Sequence, residues 1–199
     1  MEEDLFRELE KKSQKICQAA IEIFSEKSFN KTTVSEIATK AGVGKGTFYL
    51  YFDSKSDLLN YLLDFGIEKL ISQVSASIKD ADSPLKKLEK AIDAQLNFFN
   101  KYHNYCNFFV REIWSYRDSL KREVEKLKEK YIVIFEDLIE EGIKDGSFKD
   151  IDTETIASGL FGFSSISSIH WILFAQEFPV VDINESIKKV FFEGLLKEN

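Results

Sequence analysis

The chain has 199 residues, a formal net charge of −7 and 44% hydrophobic residues. This length suffices for one large domain or two small ones with their own cores, and the acidic N-terminus lacks an apolar run, so we expect no signal peptide. Cys17 and Cys106 are too few for a disulfide framework and predict buried thiols in a reducing cytoplasm. With only His103 and His170, no H-E-x-x-H motif and no Cys/His cluster, the sequence predicts neither a metal site nor a cofactor.

The negative charge is distributed unevenly along the chain. Residues 11–60 contain eight lysines and five acidic residues, a balance of +3, whereas the first ten residues hold one arginine and five acidic residues, a balance of −4, which leaves −6 for the rest. A nucleic-acid-binding surface should be basic. The acidic residues thus lie mostly outside the one segment that could meet this requirement.

The first element in chain order is a predicted helix. Before Ser13 the chain can extend this helix or fray, and apolar residues then recur at helical spacing. They are Ile16, Ala20, Ile23 and Phe24, with Phe29 closing the element. We expect this helix to pack beneath the two helices that follow.

The segment from Thr33 has the S/T-x-x-E form of a capping box, in which the Thr33 hydroxyl and the Glu36 carboxylate each bond an orphan amide at a helix start. We therefore expect a helix to begin with the next residue after Thr33. Gly42 can adopt the left-handed conformation that ends a helix, and a tight turn through the next two residues should follow. The predicted buried face consists of Val34, Ile37, Ala38 and Ala41.

A second short helix is predicted from about Lys45 to Phe52. Phe48 and Phe52 lie four residues apart and should point inward. Two helices joined by a tight turn, the second with a short polar and aromatic outer face, are typical of a helix-turn-helix whose second helix enters a major groove. That outer face carries Lys45, Gly46, Tyr49 and Leu50.

Two other interpretations of this segment are open. Short helices joined by glycine turns also occur as ordinary hairpins in globular domains. Residues 44–47 superficially resemble the end of a phosphate-binding loop, but that motif requires glycine where Thr39 stands and serine or threonine where Gly46 stands. It also requires a preceding strand, and the preceding segment has helical periodicity.

The run A-G-V-G-K-G-T-F-Y-L-Y-F-D-S-K, residues 41–55, resembles the recognition segment of the TetR family of bacterial transcriptional regulators. The resemblance extends through about Leu62, and further along the chain only in helix pattern. Many relatives insert a basic N-terminal arm into a minor groove, whereas the arm here is acidic, which argues against that contact. The resemblance implies that Thr33 holds a phosphate, that Lys45 and Gly46 face base edges, that Thr47 and Tyr49 touch base or backbone, and that Tyr51 and Lys55 meet the backbone.

The chain after this segment is predicted to be helical throughout. A long helix with apolar residues at helical spacing over 59–78 follows the helix-turn-helix and is its covalent link to the rest of the chain. Further helices are expected over about 84–102, 105–116 and 118–144. The first of these begins with a serine cap followed by proline, a pattern typical of a helix start.

The segment 155–176 contains no charged residue, which raises a membrane span as an alternative. Its five serines, its histidine and its acidic flanks argue against that alternative. A helix that is apolar on all sides must be buried on all sides, so we expect one face to fill its own core and another to meet a second copy of the chain. Together with the last helix it would form a two-fold, four-helix interface. The expected interface residues are Ser158, Gly162, Ser165, Ile187 and Phe191.

Aromatic residues in the second half of the chain suggest a site for a small, largely apolar molecule, although ordinary core packing is the alternative for each of them. Arg111 lies inside an aromatic stretch, where a charge must be paired or face something polar. It could hold an anionic or polar ligand head, and an internal ion pair or a solvent-facing turn explains it equally well. The candidate ligand-binding residues are Phe98, Tyr102, Phe108, Phe109, Arg111, Trp114, Phe135, Phe163 and Trp171.

The expected fold is all-α, because no strand-like alternation is present. It comprises an N-terminal three-helix helix-turn-helix DNA-binding domain over residues 1–53 and a larger C-terminal helical ligand-binding and dimerisation domain over 54–199. The expected function is a ligand-responsive transcriptional regulator, a repressor, that binds a palindromic operator in double-stranded DNA as a homodimer and is released by a small hydrophobic effector. A helical dimeric structural or interaction protein without a DNA role is the alternative. An enzyme would need a nucleophile, base or metal constellation that the sequence does not supply.

Overall fold

The structure is a computed structural model that describes residues 6, 9–115, 125–126, 128–174 and 179–196. Across these ranges it contains no strand, only an isolated antiparallel bridge between Phe148 and Leu196, so the predicted all-α fold is confirmed. A 3₁₀ turn, Phe29–Lys31, precedes the second helix, and π-helical turns occupy Lys128–Ile132 and Lys188–Phe192. The helices are α1 (Lys11–Glu26), α2 (Val34–Lys40), α3 (Lys45–Phe48), α4 (Lys55–Ile78), α5 (Pro84–Lys101), α6 (His103–Ser115), α7 (Val133–Asp145), α8 (Thr153–Phe174), α9 (Val180–Ile187) and α10 (Glu193–Leu195).

Some helix boundaries differ from the predicted ones. Helix α3 is regular only to Phe48 and continues to Phe52 as tight turns, because the amides of Leu50 and Tyr51 bond carbonyls three residues back, at 3.2 and 3.0 Å. Helix α6 begins at His103 rather than at residue 105. The helix predicted over 118–144 contains the first π-helical turn, and its residues 118–124 and 127 lie outside the described ones.

The chain divides into two compact units. Unit 1 comprises Met1–Lys69 and Lys101–Glu123, and unit 2 comprises Leu70–Asn100 and Val124–Asn199. Helix α4 therefore contributes its N-terminal part to unit 1 and its C-terminal part to unit 2. These are units of packing, and the division into a DNA-binding and an effector domain at residue 53 concerns function and stays a prediction.

The core of unit 1 forms where α1 packs on α2 and α6. Phe24 of α1 is fully buried, and its ring stacks on Phe108 of α6 with centroids 5.4 Å apart. Cys17 and Cys106 are both buried and neither is part of a disulfide, and burial raises the pKa of the Cys17 thiol to about 12. The cysteines thus serve as small apolar residues of this core.

A second close contact in unit 1 joins α6 to α4. The Tyr105 hydroxyl donates a hydrogen bond to the Leu62 carbonyl oxygen at 2.9 Å. A Cβ atom added to Gly66 would lie 1.8 Å from that hydroxyl oxygen. Only glycine therefore leaves room for the tyrosine ring, and the two helices are held at a fixed separation.

Unit 2 contains a hydrogen-bonded polar cluster in its core. Gln95 of α5 donates from Nε2 to the Ser164 hydroxyl of α8 at 2.6 Å, and its Oε1 accepts from the Tyr131 hydroxyl at 2.7 Å. All three side chains are buried. Tyr131 lies in the π-helical turn before α7, where the extra residue changes the direction in which side chains point. Burial raises the pKa of Tyr131 well above its usual value, so the phenol stays protonated as a donor.

Helix α8 presents two different faces. Ala157, Leu160, Ser164 and Ser168 follow each other at helical spacing and are buried, whereas Ile166 on the other side is 59% exposed. Among the residues that the structure describes, no helix combines the length and the apolar character that crossing a membrane requires.

Candidate nucleic-acid interface

Helix α2 begins at the predicted capping box. The Thr33 hydroxyl accepts from the Glu36 amide at 3.3 Å, and the Glu36 carboxylate accepts from the Thr33 amide at 2.8 Å. These two bonds satisfy amides that the first turn of a helix leaves without an intrahelical partner. Sequence alone predicted both bonds, and the structure confirms them.

The turn between α2 and α3 follows from Gly42. This residue has a φ of +66°, the left-handed conformation that glycine adopts without a steric penalty. The Val43 amide bonds back to the Ala38 carbonyl at 3.0 Å and closes the helix end. Gly44 in extended conformation then starts α3. The predicted helix-turn-helix is present, and an ordinary loose hairpin does not describe it.

Packed aromatic side chains bury the inner face of α3. Phe48 is fully buried and Phe52 nearly so, with ring centroids 5.8 Å apart, and Phe52 also packs on Tyr61 of α4 at 5.4 Å. Both phenylalanines therefore point inward as predicted. The opposite face of α3 is open to solvent, where Lys45 and Gly46 are exposed, Tyr49 is 48% exposed and Leu50 is 80% exposed. Thr47, also expected at DNA, is half-buried.

The predicted phosphate-binding group Thr33 already has partners inside the protein. Its hydroxyl also donates to the Glu36 carboxylate at 2.9 Å. Lys27 contacts the other oxygen of Glu36 at 2.5 Å. The Lys27 ammonium first, and then the Thr33 amide and hydroxyl, lower the pKa of Glu36 to about 2. The carboxylate thus stays ionised at neutral pH and holds the start of α2.

Lys55, expected at the DNA backbone, binds two carbonyl oxygens of its own chain. Its Nζ donates to Phe29 and Thr32, each at 2.6 Å, and lies 4.1 Å from the centroid of the Phe29 ring. The lysine therefore fastens the start of α4 to the turn that precedes α2. A DNA contact by Lys55 stays a prediction.

Tyr51, the third predicted backbone contact, donates its hydroxyl hydrogen to the carboxylate of Glu10. Glu10 caps the N-terminus of α1, where the same carboxylate oxygen accepts from the Lys12 amide at 3.3 Å. The bond from Tyr51 lowers the pKa of Glu10, and Glu10 raises the pKa of Tyr51. Sequence reasoning missed Glu10, because its partner lies 41 residues away.

The candidate ligand residues are divided between the two units. Tyr102 and Phe108 in unit 1 and Phe98 and Phe135 in unit 2 are buried in their own cores. Phe109 and Phe163 are half-buried, and Trp171 is 37% exposed. The side chains of Arg111 and Trp114 lie outside the described part. A ligand role for this set stays a prediction.

The candidate interface residues on α8 and in the segment after it range from exposed to buried. Ser158 is exposed, Ser165 is half-buried, and a Cβ atom on Gly162 would meet nothing within 4 Å. Phe191 is half-buried and packs on Phe163 with ring centroids 5.6 Å apart.

Ile187 requires a correction. Its side chain is fully buried within its own chain, so a partner could not contact it in this arrangement. Val190, an apolar position of the last predicted helix, is 61% exposed, and Ile166 and Val181, which the sequence did not single out, are 59% and 67% exposed.

An exposed recognition helix, held by a capped helix and a glycine turn, defines this chain as a helix-turn-helix DNA-binding protein. Residues 16–62 match the model of the bacterial regulatory proteins of the tetR family. Residues 81–172 match the model of the tetracyclin repressor-like C-terminal domain. The chain belongs to the TetR family and is a transcriptional regulator.

Two similar proteins and one solved structure each align with this chain over about two thirds or more of their own length. The fatty acid metabolism regulator protein of Bacillus subtilis (strain 168) is 26% identical, over 92% of this chain and 95% of the relative. The HTH-type transcriptional repressor KstR2 of Rhodococcus jostii (strain RHA1) is 31% identical over 68% and 67%. The crystal structure of the transcriptional regulator FadR from Bacillus subtilis in complex with stearoyl-CoA superposes with a TM-score of 0.79 at 26% identity, covering 90% and 97%.

Proposed function

We propose that this regulator binds a palindromic operator as a homodimer, with one recognition helix in each of two major grooves. The observation that carries this proposal is the solvent-exposed face of α3. Lys45 and Gly46 would face base edges, and Thr47 and Tyr49 would touch base or backbone. Thr33, Tyr51 and Lys55 would meet the phosphates. Two half-sites roughly 34–36 Å or a multiple apart would match a two-fold protein.

Selection of bound duplexes from a random pool, followed by gel-shift titration, tests this assignment. Lys45→Ala should alter base preference and cost about 1–3 kcal/mol on the selected operator if its base contact is direct. Tyr49→Ala should weaken binding on every sequence. Equal losses for Lys45→Ala on all sequences would reassign Lys45 to a phosphate contact.

The partner protomer would meet α8 and the last helices. Support comes from the exposed apolar side chains on these helices, Ile166, Val181 and Val190, which an interface would remove from water. The open space above Gly162 would allow a second backbone to approach closely. A second copy of the chain is the occupant that also explains binding to a palindrome.

The effector is proposed to be a long-chain acyl compound, specifically an acyl-CoA. Support comes from the likeness to a fatty acid metabolism regulator over nearly the whole length of both chains, and to FadR, whose crystal structure contains stearoyl-CoA. The aromatic residues predicted from the sequence suit an apolar chain, and Arg111 suits an anionic head. The protein would act as a repressor in the cytoplasm, where its buried free thiols stay reduced.

Release of the DNA requires that the ligand prefer the arrangement that does not bind DNA. To move the population from 1:99 to 99:1, the ligand must favour that arrangement by about 5.5 kcal/mol. By reciprocity, operator DNA must weaken the ligand by the same factor. Helix α4 is the proposed lever, since it starts beside the recognition helix at Lys55 and continues to Ile78 in unit 2.

Titration of the operator complex with acyl-CoA of increasing chain length tests the effector class, with coenzyme A and free fatty acid as controls. Dissociation that depends on chain length supports the proposal. Equal acyl-CoA affinity with and without operator would mean that the ligand is structural and does not control DNA binding. Dissociation by free coenzyme A alone would assign recognition to the head group.

A further inference from the structure

Glu10 and Tyr51 form a contact that joins the start of α1 to the segment just after the recognition helix. Both residues belong to unit 1. The Tyr51 hydroxyl donates to Oε2 of Glu10, which also accepts from the Lys12 amide at 3.3 Å as the N-cap of α1. One carboxylate therefore serves as a helix cap and as the acceptor for a residue expected at DNA.

The chemistry of a phenol limits the number of acceptors that the Tyr51 hydroxyl can bond. A tyrosine hydroxyl has one hydrogen and can donate it to one acceptor at a time. A carboxylate and a DNA phosphate are both anionic oxygen acceptors that form strong charge-assisted bonds. Tyr51 can therefore donate to Glu10 or to a phosphate, but a full bond to one excludes a full bond to the other.

We propose that Glu10 is an internal competitor for the DNA phosphate at Tyr51 and lowers the affinity of this regulator for DNA. The inference rests on the proposed phosphate contact of Tyr51. DNA binding must exchange the Glu10 carboxylate for a phosphate as the acceptor of the Tyr51 hydrogen, and giving up the bond to Glu10 costs binding free energy. Because every duplex has the same phosphates, this penalty applies to all sequences and sets the overall affinity without changing base preference.

The role of Glu10 as an N-cap determines the choice of variant. Glu10→Ser keeps a favoured capping residue, since serine is among the best at this position, but its side chain is too short to reach Tyr51. Tyr51→Phe removes the hydroxyl and keeps the ring. These two changes and their combination form a double-mutant cycle that isolates the contact.

The experiment measures the affinity of the full chain and the three variants for a random-sequence duplex and for the selected operator at low salt. Glu10→Ser should tighten binding of both duplexes about threefold to tenfold, the range expected when one competing hydrogen bond is removed. Tyr51→Phe should weaken both. In the Phe background, Glu10→Ser should change nothing. Circular dichroism melting of each variant verifies that α1 is intact.

Several outcomes would overturn the inference. Weaker binding by Glu10→Ser would mean that Glu10 orients Tyr51 for DNA. The same gain with and without the Tyr51 hydroxyl would reduce the effect to the charge of Glu10. If Tyr51→Phe binds DNA like the unchanged protein, then the proposed phosphate contact of Tyr51 is wrong. If Tyr51→Phe weakens binding and Glu10→Ser has no effect, only the competition is wrong.

Discussion

The two units place their polar and apolar groups in opposite ways. In unit 1 the Thr33 and Tyr51 hydroxyls and the Lys55 ammonium donate to acceptors within the chain, and the core behind the solvent-exposed recognition helix is aromatic. In unit 2 the polar cluster of Gln95, Tyr131 and Ser164 is buried, while Ile166, Val181 and Val190 are exposed.

This difference matches the partner proposed for each unit. The donors of unit 1 could exchange their internal acceptors for the phosphates of a polyanion, because a phosphate oxygen can accept the hydrogen bonds that internal oxygens accept in the free protein. The exposed apolar side chains in unit 2 contribute favourable free energy only when another apolar surface covers them and removes them from water. A single substitution in each unit tests this difference.

The largest expected effect comes from a charge on the exposed face of unit 2. Gly162→Glu places a carboxylate where a Cβ atom meets nothing within 4 Å in the single chain, so the protomer should fold normally. If this face is the dimer interface, then the buried charge should produce monomers. Loss of the second recognition helix should weaken operator binding by about 100-fold or more.

Sedimentation and gel-shift titration measure the two consequences. Ser72→Glu, at an exposed position of α4, adds a carboxylate elsewhere on a helix surface and should leave both unchanged. A stable dimer of Gly162→Glu would place the interface on another surface. A wild-type protein that sediments as a monomer would remove the interface argument altogether.

The next largest effect concerns the α4–α6 contact of unit 1. Gly66→Val would place side-chain atoms inside the Tyr105 ring position and force the helices apart, at a cost of about 1–3 kcal/mol of unfolding free energy. Tyr105→Phe keeps the ring and removes the hydroxyl that bonds to the Leu62 carbonyl, with an expected loss near 1 kcal/mol. Urea unfolding measures both. A neutral Gly66→Val would show that this packing is loose.

A comparable or smaller effect is expected for the buried polar cluster of unit 2. Tyr131→Phe leaves the Gln95 Oε1 acceptor without its donor inside the core, which should cost about 1–3 kcal/mol. Ser25→Ala, which removes an exposed hydroxyl bonded to the Glu22 carbonyl, is the control and should be near neutral. If the two variants unfold at the same urea concentration, then the cluster does not stabilise unit 2.

Local signals explain what sequence alone could predict. The capping box at Thr33 and the left-handed Gly42 depend on residues a few positions apart, so the start and end of α2 and the turn to α3 were predictable. Glu10 and Tyr51 are 41 residues apart, and Gln95 and Tyr131 are 36 apart, so only the folded chain brings these partners together.

Other features left weaker or misleading signals. Gly66 in the middle of an apolar helix could have indicated that another element approaches closely. It could not have shown which element that is. The π-helical turns had no signature in the apolar periodicity. Ile187 and Val190 both belong to apolar positions of the last segment, and only the packing shows that the first is buried and the second exposed.

The smallest expected effect concerns the surface carboxylate that caps α2, and its sign follows from its pKa. In the folded protein Lys27 and Thr33 lower the pKa of Glu36 to about 2 from its ordinary value of 4.5. A group whose pKa is lowered by folding stabilises the fold above its unfolded pKa, and this contribution disappears as the pH falls through the folded pKa. Glu36 should therefore contribute fully at neutral pH and progressively less between about pH 4.5 and pH 2.

Comparison of the unchanged protein with Glu36→Gln isolates this contribution, because the other carboxyl groups titrate equally in both proteins. Glutamine keeps the shape and the acceptor of the capping box but cannot carry the charge that Lys27 contacts. The difference between their urea midpoints should be small at neutral pH, should shrink as the pH falls below about 4.5, and should be reduced by salt because the pair is exposed. A difference that does not change with pH would show that the charge of Glu36 does not stabilise the fold.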